Sequence, residues 1–331
     1  MKYMKLHNTD LEISAVAMGC WGLAGDATWG PQDEAESIAA VRAALDAGIN
    51  FFDTAEMYGD GLSERRLGRG LAKRRDRAVI ASKFGPDHNA DADLTAACER
   101  TLACLQTDYI DLYQIHWASR TVPLEETWDA LWKLKDQGKI REIGVCNFGT
   151  GNLGDLLALG LPVTNQLPYS LLMRAIEFEI LPCCVQEGIG VLCYSPLLLG
   201  ILTGKYSCAD EVPDGRARLR HFSTDRPQAR HGEPGCEAET FAALARIREI
   251  SEQLGRPMSD VALAWLLHQE GVVSVLSGIR NPDQARRNVA AAELTLGDDV
   301  LAMLDEATEP VKQALGPNPD LWQGANDSRF R

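Results

Sequence analysis

Short runs rich in β-branched and aromatic residues alternate along this chain with longer stretches whose apolar positions recur at helical spacing. That alternation predicts repeated βα units, and strands separated by crossover helices must pair in parallel. Eight strand candidates can be placed, at residues 13–18, 50–52, 78–82, 110–115, 142–145, 163–166, 191–194 and 272–276. Eight parallel strands close a (β/α)8 barrel, so the expected fold is α/β, a TIM barrel formed as one domain over residues 1–331.

The stretches between the strands carry start and stop signals for helices. Residues 33–47 place Ala35, Ile38, Val41, Ala44 and Leu45 on one face, with Asp33 as N-cap and Gly48 as the stop. The same grammar recurs at 124–137 with Gly138, and at 237–254 with Gly255. At the start of the chain, Asn8, Thr9 and Asp10 between short apolar stretches predict a hairpin that caps the barrel floor. Two segments break the alternation. Residues 207–235, rich in Pro, Gly, Asp and Arg, are expected to be a long lid or binding loop. The tail 315–331 is also irregular, with Trp322 and Phe330 as residues that would dock.

Composition narrows the function classes. A 331-residue chain that is 45% hydrophobic can bury one large core. Its longest apolar stretches, such as 190–202, are interrupted by Tyr, Ser, Pro and Gly and fall short of the ~20 residues a membrane helix needs. The opening MKYMKLHNTDLEI lacks the basic start, apolar middle and cleavage site of a secretory signal, so a cytoplasmic location is expected. Nine cysteines without CxxC pairs read as reduced thiols. The net charge of −14 argues against nucleic acid as a partner. None of these features sets an oligomeric state.

Four side chains fall at or just past strand ends: Asp53 and Tyr58 in FFDTAEMYG, Lys83 closing AVIASK, and His116 closing YIDLYQIH. Singly, each has an ordinary role as a helix cap, a packing residue, a solvated cation or a core histidine. Placed together on the face of a barrel where βα loops gather, they make a reaction centre. Hydride transfer to a carbonyl builds negative charge on oxygen and needs a proton donor. Free tyrosine, with a pKa of ~10, is a reluctant one. A neighbouring ammonium stabilises the phenolate and is expected to lower that pKa, while a carboxylate holds the ammonium charged. Tyr58, Lys83 and Asp53 suit those roles, and His116 suits a hydrogen bond to the carbonyl oxygen.

At this point the motifs carry a family resemblance. GINFFDTAEMYGDGLSERRLG (48–68), TDYIDLYQIHW (107–117), GKIREIGVCNF (138–148), NQLPYSLLMR (165–174), YSPLLLGILTGKY (194–206) and SGIRNPDQARRN (277–288) together resemble the aldo-keto reductases. The likeness is to bacterial reductases of the general-stress and inositol-operon kind more than to mammalian aldose reductases. It implies a barrel that binds a nicotinamide cofactor without a Rossmann unit. By position, it assigns Asn147 and Gln166 to the carboxamide and Tyr194 to stacking on the ring. Ser195, Leu197 and Gly200 fall to the pyrophosphate, Gly278 and Arg280 to the adenosine phosphate, and Gln284 and Asn288 to the adenine. The last group has independent support, because phosphate sites in such barrels use the loops after strands seven and eight and a helix start there. Pro282 suits a first helical position, and Gln284 and Asn288 stand at i, i+4. Arg280 beside that start suits a 2′-phosphate and favours NADPH. The chain departs from the family pattern at Cys146, where Ser usually precedes the Asn. The two readings of that thiol are a buried small residue and an oxidation-sensitive group.

Trp21, Trp29 and Trp117 are the expected pocket walls, and Trp322 reads as loop packing. Arg216, Arg218, Arg220, Arg226 and Arg230 in the long loop either close over an anion or are solvated charge. The expected function is NADPH-dependent reduction of small aldehydes, ketones or open-chain sugars, reversible as a polyol or sugar dehydrogenase, with Tyr58 as acid. A second reading is a nicotinamide-binding redox sensor like the β subunits of voltage-gated potassium channels. A third, a metal-dependent hydrolase, is disfavoured because no clustered His and Asp positions follow the strands.

Overall fold

A computed structural model of the chain describes residues 1–26 and 28–331. An antiparallel hairpin comes first, with β1 (Tyr3–Lys5) against β2 (Glu12–Ser14). Asn8 turns it with a left-handed φ of 57°. The barrel follows from β3 (Val16–Gly19), β4 (Phe51–Asp53), β5 (Val79–Phe84), β6 (Ile110–Ile115), β7 (Ile140–Cys146), β8 (Thr164–Pro168), β9 (Gly190–Tyr194) and β10 (Val272–Gly278). These eight strands are all parallel and run in sequence order, with β10 closing onto β3.

Helices cover the outside: α1 (Trp21–Ala24), α2 (Glu34–Asp46), α3 (Leu62–Leu71), α4 (Asp91–Leu105), α5 (Leu124–Asp136) and α6 (Thr150–Leu157) in the first half. In the second half come α7 (Ile180–Glu187), α8 (Glu237–Gln253), α9 (Met258–Leu267), α10 (Pro282–Ala292) and α11 (Asp298–Leu315). Among the described residues, no helix is long and apolar enough to cross a membrane.

Alternation along each strand sorts its side chains. Met18, Phe52, Ile80, Tyr113, Val145, Cys193 and Val275 point outward into the shell between barrel and helices. Ala17, Phe51, Ala81, Leu112, Leu192 and Leu276 point inward and meet Leu6, Leu11 and Ile13 of the hairpin. The hairpin therefore fills the lower barrel with apolar side chains, as its position in the sequence implies. The next inward layer, two residues further along the strands, is polar.

Two expectations about elements are corrected. Residues 13–18 do not form one strand, because Ile13 and Ser14 belong to the hairpin and the barrel strand starts at Val16. Ser14 explains the break: its Oγ donates to the Val16 carbonyl at 2.8 Å, and its backbone N–H donates to Asn50 Oδ1 at 2.7 Å. Asp33 does cap α2, accepting from the Glu36 backbone N–H, but the buried face is rotated from the expected one. Ser37, Ala40, Val41, Ala44 and Leu45 are buried while Ala35 is exposed. Ser37 is tolerated there because its hydroxyl donates to the Asp33 carbonyl at 2.7 Å.

The long segment 207–235 contains only a short 3-10 turn at Ala209–Glu211, yet Ala217, Leu219 and Phe222 within it are fully buried. Arg220 explains its order. Its buried guanidinium donates to Glu233 Oε2 at 2.7 Å, to the Asn318 carbonyl at 2.6 Å and to the Leu315 carbonyl at 2.8 Å. Loop and tail are thereby fastened to each other. Asp320, fully buried, gathers the tail by accepting from the backbone N–H groups of Trp322, Gln323 and Arg329 and from the Arg329 guanidinium. The end of the tail returns to α6, where the Arg331 carbonyl accepts from the Asn152 N–H at 2.7 Å.

Candidate active site

Strand parity places the polar layer at the barrel mouth. Asp53, Lys83, Gln114 and Tyr194 each stand two residues beyond an inward apolar residue of the same strand. Lys83 is fully buried, and its Nζ donates to Asp53 Oδ1 at 2.6 Å, to the Thr54 carbonyl at 2.9 Å and to the Tyr58 hydroxyl at 3.3 Å. Asp53 is oriented from its other side by Gln166 Nε2 at 2.8 Å. Tyr58 comes from the turn after β4, which Gly59, Asp60 and Gly61 complete with left-handed φ values of 63°, 53° and 73°. A Cβ on Gly59 would stand 2.9 Å from that of Ala24, so only glycine lets this turn approach α1. Glu56 ties the turn to the end of β5, accepting from the Gly85 N–H at 2.6 Å and pairing with His88 Nδ1 at 2.6 Å.

Charge and burial compete at these groups. Burial works against the ammonium of Lys83, but the Asp53 carboxylate beside it, followed by Tyr58, holds its pKa above the ordinary lysine value. Burial pushes the Tyr58 phenol up to about 12, with Lys83 pulling the other way and Asp53 adding to the rise. The expected lowering of that pKa is therefore corrected: Lys83 acts in the expected sense, but burial outweighs it. His116 is pushed well below its usual range by burial first, then by the charges of Lys83 and Arg329, and it is a neutral imidazole. Its ring meets that of Tyr58 edge-on, with centroids 6.1 Å apart.

Asp53, Tyr58 and His116 line one cavity of about 440 Å³, above the buried Lys83. The same cavity is lined by Asn147, Gln166, Tyr194, Ser195, Leu197, Gly200, Gly278, Arg280 and Gln284, and by Trp21, Trp29 and Trp117. Asn288 is not itself on the wall, but its Nδ2 donates to Oγ of the lining residue Ser277 at 2.9 Å. Asn147, with a φ of 63°, has its amide engaged by the His116 carbonyl at 3.1 Å and by the Tyr194 hydroxyl at 2.9 Å. Arg280 reaches across to the loop before α2, donating to Gln32 Oε1 at 2.7 Å, the Trp29 carbonyl at 2.7 Å and the Pro31 carbonyl at 2.8 Å. Three of its five N–H groups are committed there. Cys146 is buried, and burial raises its pKa, which leaves a protonated thiol. That environment fits the buried small residue and disfavours the thiolate through which oxidation proceeds, while the residue also lines the cavity.

The long loop contributes less than its arginines suggested. Arg220 and Arg226 are held by Glu233 and Glu237, and of the five only Arg216 lines the cavity. Lys205, in the GILTGKY stretch, joins it. A Cβ on Gly200 would lie 3.3 Å from Lys205 Nζ and 3.5 Å from Arg216 Nη1, so two cations converge over this left-handed glycine with a φ of 87°. Among the described residues, no carboxylate pairs with either cation. Buried polar atoms without a partner, His116 Nδ1, Trp29 Nε1 and Trp322 Nε1, belong to residues of the same wall. Unpaired cations at one end, amides and an aromatic ring in the middle, and orphaned donors around them fit a nicotinamide dinucleotide.

Among the wall residues that the sequence reading did not assign, two stand on the tail. Trp322, expected to be loop packing, lines the cavity, and so does Arg329. Both lie on the tail, where no period announces which side faces inward. Among the described residues, no three His, Cys, Asp or Glu side chains converge as a metal set.

Comparison with known proteins agrees with this geometry. Residues 15–309 match the model of the Aldo/keto reductase family. The chain is 35% identical over 305 residues to the aldo-keto reductase YhdN of Bacillus subtilis, covering 89% of each protein. It is 33% identical to the NADH-specific methylglyoxal reductase of Escherichia coli, covering 95% of this chain and 100% of that one. The crystal structure of an aldo-keto reductase from Klebsiella pneumoniae in complex with NADPH superposes with a TM-score of 0.70 at 31% identity, covering 89% of this chain and 91% of the other.

Proposed function

The chain belongs to the aldo/keto reductase family of nicotinamide-dependent oxidoreductases, and from that premise we propose that it reduces small aldehydes, ketones or open-chain sugars with NADPH. The observation that carries the proposal is Lys83 Nζ, buried between Asp53 Oδ1 at 2.6 Å and the Tyr58 hydroxyl at 3.3 Å. When bound, the reduced nicotinamide supplies a hydride to the carbonyl carbon. Asn147, Gln166 and Tyr194 are the candidate residues to hold its ring. Ser195, Leu197, Gly200, Lys205 and Arg216 suit the pyrophosphate, and Gly278, Arg280 and Gln284 suit the adenosine end.

Tyr58 gives its proton to the oxygen as negative charge develops there. A phenol whose pKa burial has pushed up to about 12 stays protonated through neutral pH, so the acid is always loaded. Its reluctance is met at the moment of transfer by the Lys83 ammonium, which stabilises the phenolate left behind. Asp53 keeps that ammonium charged and aimed. Neutral His116 contributes a hydrogen bond to the carbonyl oxygen and fixes its position against Tyr58. In the reverse direction the phenolate takes the alcohol proton as the hydride returns to an oxidised nicotinamide, so polyols or sugars become substrates when they and the oxidised cofactor are abundant.

Arg280 still has two N–H groups beyond those used on the Trp29 loop, and these support a preference for a 2′-phosphate. The test is cofactor oxidation followed by absorbance, with NADPH and NADH, against short aldehydes and aldoses, for the unmodified protein and Tyr58→Phe. NADPH turnover that disappears in Tyr58→Phe supports the reading. Tight cofactor binding without any turnover would replace it with the redox-sensor reading. Unchanged NADPH affinity in Arg280→Ala would remove the phosphate assignment.

A further inference from the structure

Arg329 is the cation of the cavity that the proposed reduction leaves without a task. The tail brings it to the cavity wall on the ring of Trp117, next to His116 in the chain, while Lys205 and Arg216 converge over Gly200. Its guanidinium lies 3.8 Å above the centre of the Trp117 ring and 5.6 Å from that of Trp322, which fixes its plane. Phe330 meets Trp117 edge-on at 5.6 Å. Nε and Nη2 each donate to one oxygen of Asp320 at 2.8 Å, a bidentate pair with a carboxylate that is itself fully buried. A guanidinium has five N–H groups, and this pair uses two. Among the described residues, nothing accepts from Nη1, and the side chain is one-third exposed. The edge formed by Nη1 and the remaining N–H of Nη2 is therefore a second bidentate face, held rigid by the first.

We propose that Arg329 selects substrates, and that the preferred carbonyl compound carries a carboxylate that docks on this free edge while its carbonyl sits at Tyr58 and His116. The inference rests on the reductase reading of the site and names its substrate class. A carboxylate suits the edge better than a phosphate does, because Asp320 already compensates the single charge of Arg329, so the free edge offers directed N–H donors and a dianion would need a second cation. The net charge of −14 repels any anion at long range, but that field is screened beyond about 8 Å at physiological salt. The local guanidinium then decides.

The test compares ω-oxo acids with aldehydes that match them except for the carboxylate: 4-oxobutanoate with butanal, and 5-oxopentanoate with pentanal. The quantity read is the ratio of kcat/KM for the acid to that for the neutral partner, in which any general loosening of the tail cancels. The unmodified protein should favour one of the acids. Arg329→Gln should lower that ratio at least tenfold, and Arg329→Lys, which keeps charge but not the fork, should fall between. A ratio near one in the unmodified protein, or one that Arg329→Gln leaves unchanged, overturns the proposal and leaves Arg329 as a latch for the tail. A second arm needs no turnover. Butanoate binding, followed by fluorescence of Trp117 and Trp322, should weaken at least tenfold in Arg329→Gln while butanamide binding does not; equal weakening of both, or none, overturns the proposal. If carboxylate binding depends on Arg329 and no aldehyde is reduced, the reductase reading fails and the anion site stands.

Discussion

Glu64 lies on α3 with its side chain buried against the outer face of β5, one residue along from Lys83, and accepts from Ser82 Oγ at 2.6 Å. Burial raises its pKa from 4.5 to about 7, against the opposing Ser82 hydrogen bond and with Glu56 adding to the rise. The folded protein therefore binds a proton here that the unfolded chain has released above pH 4.5. The stabilisation is fully present below that pH and is lost as pH climbs through 7. A shift of this size corresponds to about 3 kcal/mol, most of it lost between about pH 5 and pH 8. Glu64→Gln removes the titration and keeps an oxygen for Ser82. At the unfolding entropy usual for a chain of this length, about 3 kcal/mol is worth roughly 4 °C in Tm. The assay is thermal unfolding of both proteins from pH 5 to pH 8.5. The variant should gain on the unmodified protein as pH rises and be the more stable of the two at pH 8. Parallel curves would refute the buried, titrating carboxylate.

Further outcomes follow from the same geometry. Tyr58→Phe removes what is, among the described residues, the only proton donor placed on the Lys83 ammonium, and carbonyl reduction should fall roughly a hundred- to ten-thousandfold while NADPH binding, followed by fluorescence quenching, persists. Lys83→Met leaves the Asp53 charge buried without its partner. It should cost about 3 to 5 kcal/mol in denaturant unfolding besides abolishing turnover; a loss under 1 kcal/mol would mean that Asp53 is satisfied by Gln166 and Gln114 without Lys83. Because His116 is neutral and Tyr58 is pushed up to about 12, the kcat for reduction should show no titration between pH 5 and pH 8, and a step near pH 6.5 would contradict the burial of His116. Gly68 on α3 faces the carbonyl of Leu105 with no room for a methyl group, so Gly68→Ala should cost about 1 to 3 kcal/mol of stability, seen as a lower Tm on the same scans.

What was legible in the sequence is what has a period. The eight strands could be counted because each is a short apolar run between helical patterns, and their ends could be aligned because period-two alternation runs unbroken from Phe51 to Asp53 and from Ala81 to Lys83. Gln114 belongs to that same row and could have been found by stepping back two residues from His116. The break at Ser14 was not visible, since Ile13 and Val16 read as one apolar run until the hydrogen bonds of Ser14 and Asn50 divide it. The tail was opaque for a different reason. Eight residues of aperiodic chain separate Asp320 from Arg329, and only their pairing in space shows that Trp322 and Arg329 face the cavity. Nor could the order of the long loop be read, because it depends on Arg220 reaching carbonyls almost a hundred residues away. The direction of the Tyr58 shift required knowing its burial, a quantity that residue types alone do not supply.

The tail and the barrel divide the cavity between two kinds of support, and that division bears on how the molecule can be redesigned. Asp53, Lys83 and His116 hang on adjacent strand ends, where displacing one disturbs the ladder on both sides. Trp322 and Arg329 hang on a short stretch fastened at a few points, chiefly Asp320, the carbonyls under Arg220 and the backbone of Asn152. Exchanging residues 321–330 while sparing those fasteners would rewrite one wall of the cavity as a cassette, with the proton-handling machinery left in place beneath it.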